Sequence, residues 1–261
     1  MKHKVLYLTI TIFVLIFSLG GLIAYRFLAP LNVPDLGAQS INHQAWTSLL
    51  KKHVKDGHVN YSGFIKDRPA LEQYLASLRS HPPSKSWTNN EKLAYWINTY
   101  NAYTIELILR HWPITGIRQV SGRIQMPFVN SPWDIPIIPA GDAEITLNDV
   151  EHRILRKQFE DPRIHFAIVC ASKSCPNLRS EAYTANLIDQ QLNDQAIKFI
   201  NDPSKNVIEE DTIRISRIFQ WFRGDFEKNH SLVDFLNQYS NRPIDKKVVI
   251  RHLEYDWSLN E

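Results

Sequence analysis

Apolar positions along the chain fall into two regimes. From Val5 to Tyr25 no residue is charged and the polar interruptions are Thr9, Thr11 and Ser18, which meets the roughly 20-residue apolar length that crosses a bilayer. Beyond residue 40 the pattern becomes periodic. Trp46, Leu49, Leu50, His53 and Val54 fall at helical spacing, as do Leu71, Tyr74, Leu75 and Leu78 behind an Asp67 cap and Pro69. Between them, Asp56-Gly57 reads as a turn and Val59-Asn60-Tyr61 as a short strand. Thr88-Asn89-Asn90-Glu91 is a capping-box pattern for a helix that Pro113 stops, with Leu93, Trp96, Ile97, Tyr100, Thr104, Leu107 and Ile108 on its apolar side.

Residues 114–143 carry too many Pro and Gly for a long helix, and a stretch of that length in a compact domain is often functional. An edge strand is expected there over Trp133 to Ile138. Asn148 to Glu151 is a second cap pattern, with Leu147 as a staple, opening a helix that turns Val150, Ile154, Leu155 and Phe159 inward and ends at Asp161-Pro162. Ile164 to Cys170, IHFAIVC, is a nearly continuous apolar run and reads as a buried strand. A turn from Ser172 to Pro176 follows, then a helix from Thr184 to about Asn201 and a hairpin of Val207-Ile208 with Ile213 to Ile215. Short helices over Ser216 to Phe222 and Ser231 to Tyr239, and a strand from Val248 to Tyr255, complete the chain.

The elements predict an α+β fold: a helix-rich single domain over residues 41–261 with a small mixed or antiparallel sheet, preceded by an N-terminal transmembrane helix (residues 1–29) and a tether (residues 30–40). Its core is expected from Trp96, Ile97, Tyr100, Leu107, Ile154, Phe166, Ile168, Leu192, Phe199 and Phe219. Lys2 and Lys4 before the span keep the N-terminus cytoplasmic by the positive-inside bias, giving a single-pass inner-membrane protein held through residues 5–25 with its domain in the periplasm. A cleaved signal peptide would deliver the domain to the same compartment. Thirty Lys and Arg against 27 Asp and Glu leave a net charge of +3 with no long basic run, which argues against a nucleic-acid partner.

Residues suited to chemistry gather in DPRIHFAIVCASKSCPNL, Asp161 to Leu178, with Glu151 and His152 close before it. Cys170 leaves the apolar run with small and hydroxyl residues after it, and Cys175 follows five positions on. In an exported domain the two thiols could form a disulfide that pins the turn. Alternatively Cys170 is a nucleophile with His165 or His152 as base and Glu151 or Asp161 orienting the imidazole. Zinc is disfavoured, because C-x4-C is not a usual chelate spacing and no H-x3–5-H follows. No metal or cofactor is expected. Asn98 and Asn101, three apart on the helix after Thr88, either tie down neighbouring loops or bind a substrate amide, and Arg163 and Cys175 join them as candidate substrate contacts.

The blocks AYWINTYNAYTI, SPW, DVEHRILR, DPRIHFAIVCASKSCPNL, ISRIFQWFRGDF and YDWSLN, in this order, resemble the bacterial and plant family called domain of unknown function 547. The resemblance covers residues 88–226 and, through YDWSLN, reaches almost to the C-terminus. It implies that Asn98, Asn101, Trp133, Glu151, His152, Arg156, Arg163, His165, Cys170, Ser172, Ser174, Cys175 and Pro176 are motif residues, and it supplies none of them with a role. Two classes of function follow from the residues: a thiol-dependent hydrolase or acyl transferase acting on a small-molecule, amide or peptide-like ligand, or a non-catalytic binding or assembly domain with a structural disulfide.

Overall fold

The computed structural model describes residues 31, 33–37, 39–122, 125–126 and 129–261. The expected anchor at residues 5–25 lies outside them, and among the described residues no helix is long and apolar enough to cross a membrane. The architecture is α+β. Helices α2 (Tyr61–Lys66) and α3 (Arg68–Ser80) pack against the long central helix α4 (Asn89–Arg110), and α1 (Gln44–His53) packs on α2 and α3. A hairpin of β1 (Val54–Lys55) and β2 (His58–Val59) joins α1 to α2. The chain expected to stay extended at Tyr61 turns helical instead, because Asn60 accepts the Gly63 N–H as a cap. Helix α4 begins as its sequence predicts: Thr88 and Glu91 form the reciprocal capping box. It is buried on nearly every face, so it is the hub of the larger core rather than an amphipathic surface helix.

Residues 114–143 contribute two 3-10 turns, Ile117–Val120 and Pro132–Asp134. The edge strand expected from Trp133 starts later: β3 (Ile138–Ala140) pairs antiparallel with β4 (Ala143–Ile145), while Trp133 lies in the second 3-10 turn, which Ser131 and Asp134 cap. The next cap is also displaced. Thr146 and Asp149 bond reciprocally, backbone and side chain, and Asn148 donates instead to Asp134. What they open is a π-helical segment, Asp149–Leu155, running into one α-turn, α5 (Arg156–Gln158).

IHFAIVC, expected as a buried strand, is not one. Its first half is a 3-10 helix, Pro162–Phe166, with the Asp161 carboxylate accepting the Arg163 N–H. The segment is buried on all sides, with Ile164, Ala167, Ile168 and Val169 in the larger cluster and Phe166 in a second, aromatic one with Phe199, Phe219, Phe226 and Phe235. A continuous apolar run carries no period that distinguishes strand from helix. The alternation that set His165 and Cys170 on opposite faces of a strand therefore does not apply.

Helix α6 (Ile188–Ile200) begins four residues later than expected. Strands β5 (Val207–Ile208) and β6 (Thr212–Ile215) form the predicted hairpin, and β7 (Val249–His252) adds to β6 in parallel, Ile213 opposite Ile250. Short helices α7 (Ile218–Trp221), α8 (Arg223–Phe226) and α9 (Leu232–Asn237) close the aromatic cluster. All ten core positions expected from spacing are buried, so apolar spacing locates core positions even where it does not identify the element.

Candidate active site

Several of these irregular segments meet around a cleft of about 590 Å³. The π-helical segment presents Glu151 and His152, and Arg156 one turn on. Such segments recur at functional sites because the extra residue per turn re-aims side chains. The 3-10 helix supplies His165; the long loop supplies Arg118, Gln125, Ser131 and Trp133; the joint between α7 and α8 supplies Trp221 and Phe222. The last wall is the C-terminal strap, where Tyr255 and Trp257 stand beside Trp221 and Trp133, with ring centroids 4.5–5.8 Å apart. Gly116 lets that strap approach: a Cβ there would sit 2.7 Å from the Trp257 carbonyl oxygen.

Two acidic groups and one imidazole organise the floor. Arg156 grips Asp225 with two N–H groups, 2.6 and 2.8 Å long, a bidentate pairing that fixes the carboxylate. Asp225 in turn accepts from His165 Nε2 at 2.7 Å, which assigns the ring proton to Nε2. His165 is 2% exposed, its ring stacks on Phe222 at 3.9 Å, and its Nδ1 has no hydrogen-bond partner among the described residues. That lone pair lies 3.9 Å from Glu151 Oε1.

The electrostatics sort these groups. Burial pushes the Glu151 carboxyl up to about 7 against the opposing pull of Arg156 and the Tyr100 hydroxyl, which donates to it at 3.3 Å. Burial lowers His165 below its ordinary value although Asp225 works the other way. Burial first and Arg156 second depress His152 to about 3, and its Nδ1 accepts an Arg156 N–H at 2.9 Å. Burial opposes ionisation of Asp225, yet the bonds from Arg156 and His165 outweigh it and hold that carboxyl well below the usual range. Near neutral pH the cleft therefore holds a neutral imidazole with a bare Nδ1 and a glutamic acid able to give a proton, with an aspartate behind the imidazole.

Of the residues singled out by sequence, Glu151, His152, His165, Cys170 and Cys175 converge on the cleft. Asn98, Asn101 and Arg163 do not line it, contrary to their expected substrate contacts; the two amides instead tie down neighbouring loops, the other role open to them. Asn98 bonds the Tyr183 N–H and C=O, and Asn101 bonds the Val169 N–H and Ala167 C=O, each amide standing in for a strand partner of a buried loop. Arg163 pairs with Asp161, Asp189 and Asn193. Asp161 therefore does not orient an imidazole, and Glu151 faces His165 without gripping it. Asp225 takes that part; it stood in the WFRGDF block without being singled out, next to the aromatic pair that lines the site. The sulfurs of Cys170 and Cys175 are joined, with Cα atoms 6.2 Å apart, so the structure holds no free thiol at Cys170 and the nucleophile expected there is absent from this state.

Residues 84–200 match the family described as "Protein of unknown function, DUF547". No curated protein and no solved structure matches the chain.

Proposed function

From the cleft of this chain, whose residues 84–200 match the DUF547 family of proteins of unknown function, we propose its activity: an acid–base hydrolase or acyl transferase acting on an amide or peptide-like substrate. The observation that carries this reading is the buried, unpartnered Nδ1 of His165, held from behind by Asp225 and facing a carboxylic acid. Orienting an imidazole with a carboxylate fixes its tautomer and steadies the imidazolium that forms.

In the proposed reaction, Nδ1 removes a proton from water as the oxygen adds to the substrate carbonyl carbon. Asp225 stabilises the resulting imidazolium, and Arg156, charged and on the same wall, offsets the negative charge growing on the carbonyl oxygen. Glu151 protonates the departing nitrogen as the C–N bond breaks. The imidazolium then returns its proton to the Glu151 carboxylate, its neighbour at 3.9 Å. An alcohol or amine in place of water gives acyl transfer by the same steps. The aromatic wall and the polar loop residues opposite suit an extended ligand with both apolar and hydrogen-bonding faces.

A panel of 4-nitrophenyl esters and aminoacyl 4-nitroanilides tests it. Turnover should fall by about a hundredfold or more in His165→Asn, the usual weight of a positioned general base. Equal rates for the two proteins across the panel would overturn the proposal. The alternative reading, a non-catalytic binding or assembly domain with a structural disulfide, is favoured by the purely structural use of Asn98 and Asn101.

A further inference from the structure

The disulfide lies in the wall of the same cleft, and its surroundings do not fit a staple. It closes a loop with a sequence separation of 5, the kind of short ring from which a cross-link removes least chain entropy. That loop is already sewn to the C-terminal strap. Lys173 N–H donates to Ser258 O at 2.8 Å, Ser174 N–H to Asp256 O at 3.2 Å, Asn260 N–H to Ala171 O at 3.1 Å, and Asp256 N–H to Ser174 Oγ at 2.8 Å. The two sulfurs are also unlike. Cys170 is partly exposed, whereas Cys175 is 4% exposed and its sulfur accepts the Cys170 backbone N–H at 2.9 Å. Cys170 Sγ has the hydroxyls of Ser172 and Tyr255 at 3.0 and 3.4 Å.

We propose that Cys170–Cys175 is an exchangeable disulfide, with Cys170 the sulfur attacked by a low-molecular-mass thiol that enters the cleft. The thiol first loses its proton to solvent. Its thiolate attacks Cys170 Sγ, forming a mixed disulfide and breaking the bond to Cys175, which leaves as a thiolate facing the Cys170 N–H and takes a proton from solvent. A second thiolate attacks the small-molecule sulfur of the mixed disulfide. Cys170 then leaves as a thiolate facing the Ser172 and Tyr255 hydroxyls. The two small thiols end as one disulfide and the protein as a dithiol, so two electrons have passed to the protein. A small-molecule disulfide restores the protein by the same steps reversed. Each leaving sulfur thus has a donor in place, and the strap keeps the loop shaped while the bond is open. The exchange needs neither His165 nor Glu151 and goes beyond the hydrolytic reading.

The test uses the full chain and glutathione. Under native conditions reduced glutathione should open the disulfide, read as two alkylated cysteines by intact mass. Given oxidised glutathione, Cys175→Ser should capture one glutathione on Cys170 about tenfold faster than Cys170→Ser captures one on Cys175, because Cys170 is the more exposed of the two. The same reactivity should persist in His165→Asn, which separates this proposal from the fate of the hydrolase. A disulfide that glutathione opens only after denaturant is added, or capture as fast on Cys175 as on Cys170, overturns it; the native reduction decides alone if either serine variant fails to fold.

Discussion

Glu151 is the residue whose setting costs the fold most visibly. Its carboxyl ionises at about 7 in the folded chain against 4.5 when free, so between those values the folded state holds a proton that the unfolded state has released. Stability from this group is complete below pH 4.5 and is lost as pH rises through about 7, a swing of roughly 3 kcal/mol. Glu151→Gln removes the ionisation while keeping an acceptor for the Tyr100 hydroxyl. In the proposed reaction the same side chain must be protonated and His165 neutral, so the rate has a maximum in mildly acidic solution and falls above about pH 7. Thermal melts at pH 8 and pH–rate profiles should then move in opposite senses: Glu151→Gln melts higher than the parent and loses turnover together with the alkaline limb. A variant that melts lower at pH 8 would show that the buried carboxylate is no burden.

At the level of elements, the site is assembled from irregular pieces: a π-helical segment, a 3-10 helix and a strap. Such pieces cannot satisfy their backbone groups by a regular ladder, and polar side chains from regular helices do it for them. Asn101 on α4 serves the Val169 N–H and the Ala167 C=O, and Gln195 on α6 serves the Phe166 C=O, all next to His165. Losing Asn101 strands two buried groups, whereas losing a cap frees one exposed donor. Asn101→Ala should therefore cost about 2–4 kcal/mol in urea unfolding, and Thr88→Ala about 1 kcal/mol. Comparable losses for both would mean that the buried loop finds other partners.

On the scale of the whole molecule, two apolar clusters flank the chain at Ile164–Val169, and the cleft opens beside their junction. The C-terminal strap crosses from the cleft to the opposite hairpin: the Val59 N–H donates to Asn260 O at 2.8 Å and the Tyr61 hydroxyl to Asn260 Oδ1 at 2.7 Å. The uncharged span at residues 5–25 with Lys2 and Lys4 before it carries the expectation of an exported, membrane-held domain. Protease added to intact spheroplasts should then digest the chain beyond Pro30, while protection of the domain until lysis would place it in the cytoplasm.

Sequence alone determined what depends on neighbours along the chain. The capping box at Thr88, the β5–β6 hairpin and the inward faces of α3, α4 and α6 follow from local hydrogen bonds and spacing, and the chemistry-bearing region was legible in the clustering of Glu151, His152, His165 and Cys170. Only the tertiary structure decided that IHFAIVC is not a strand, because burial on every side erases the period that would have identified it. It alone decided that the two amides of α4 serve backbone, since a buried amide looks the same in sequence whether its partner is a ligand or a loop. The pairing of His165 with Asp225, 60 residues away, and the meeting of Trp133, Trp221 and Trp257 are long-range contacts. Their partners are chosen by how the clusters pack and not by any spacing along the chain.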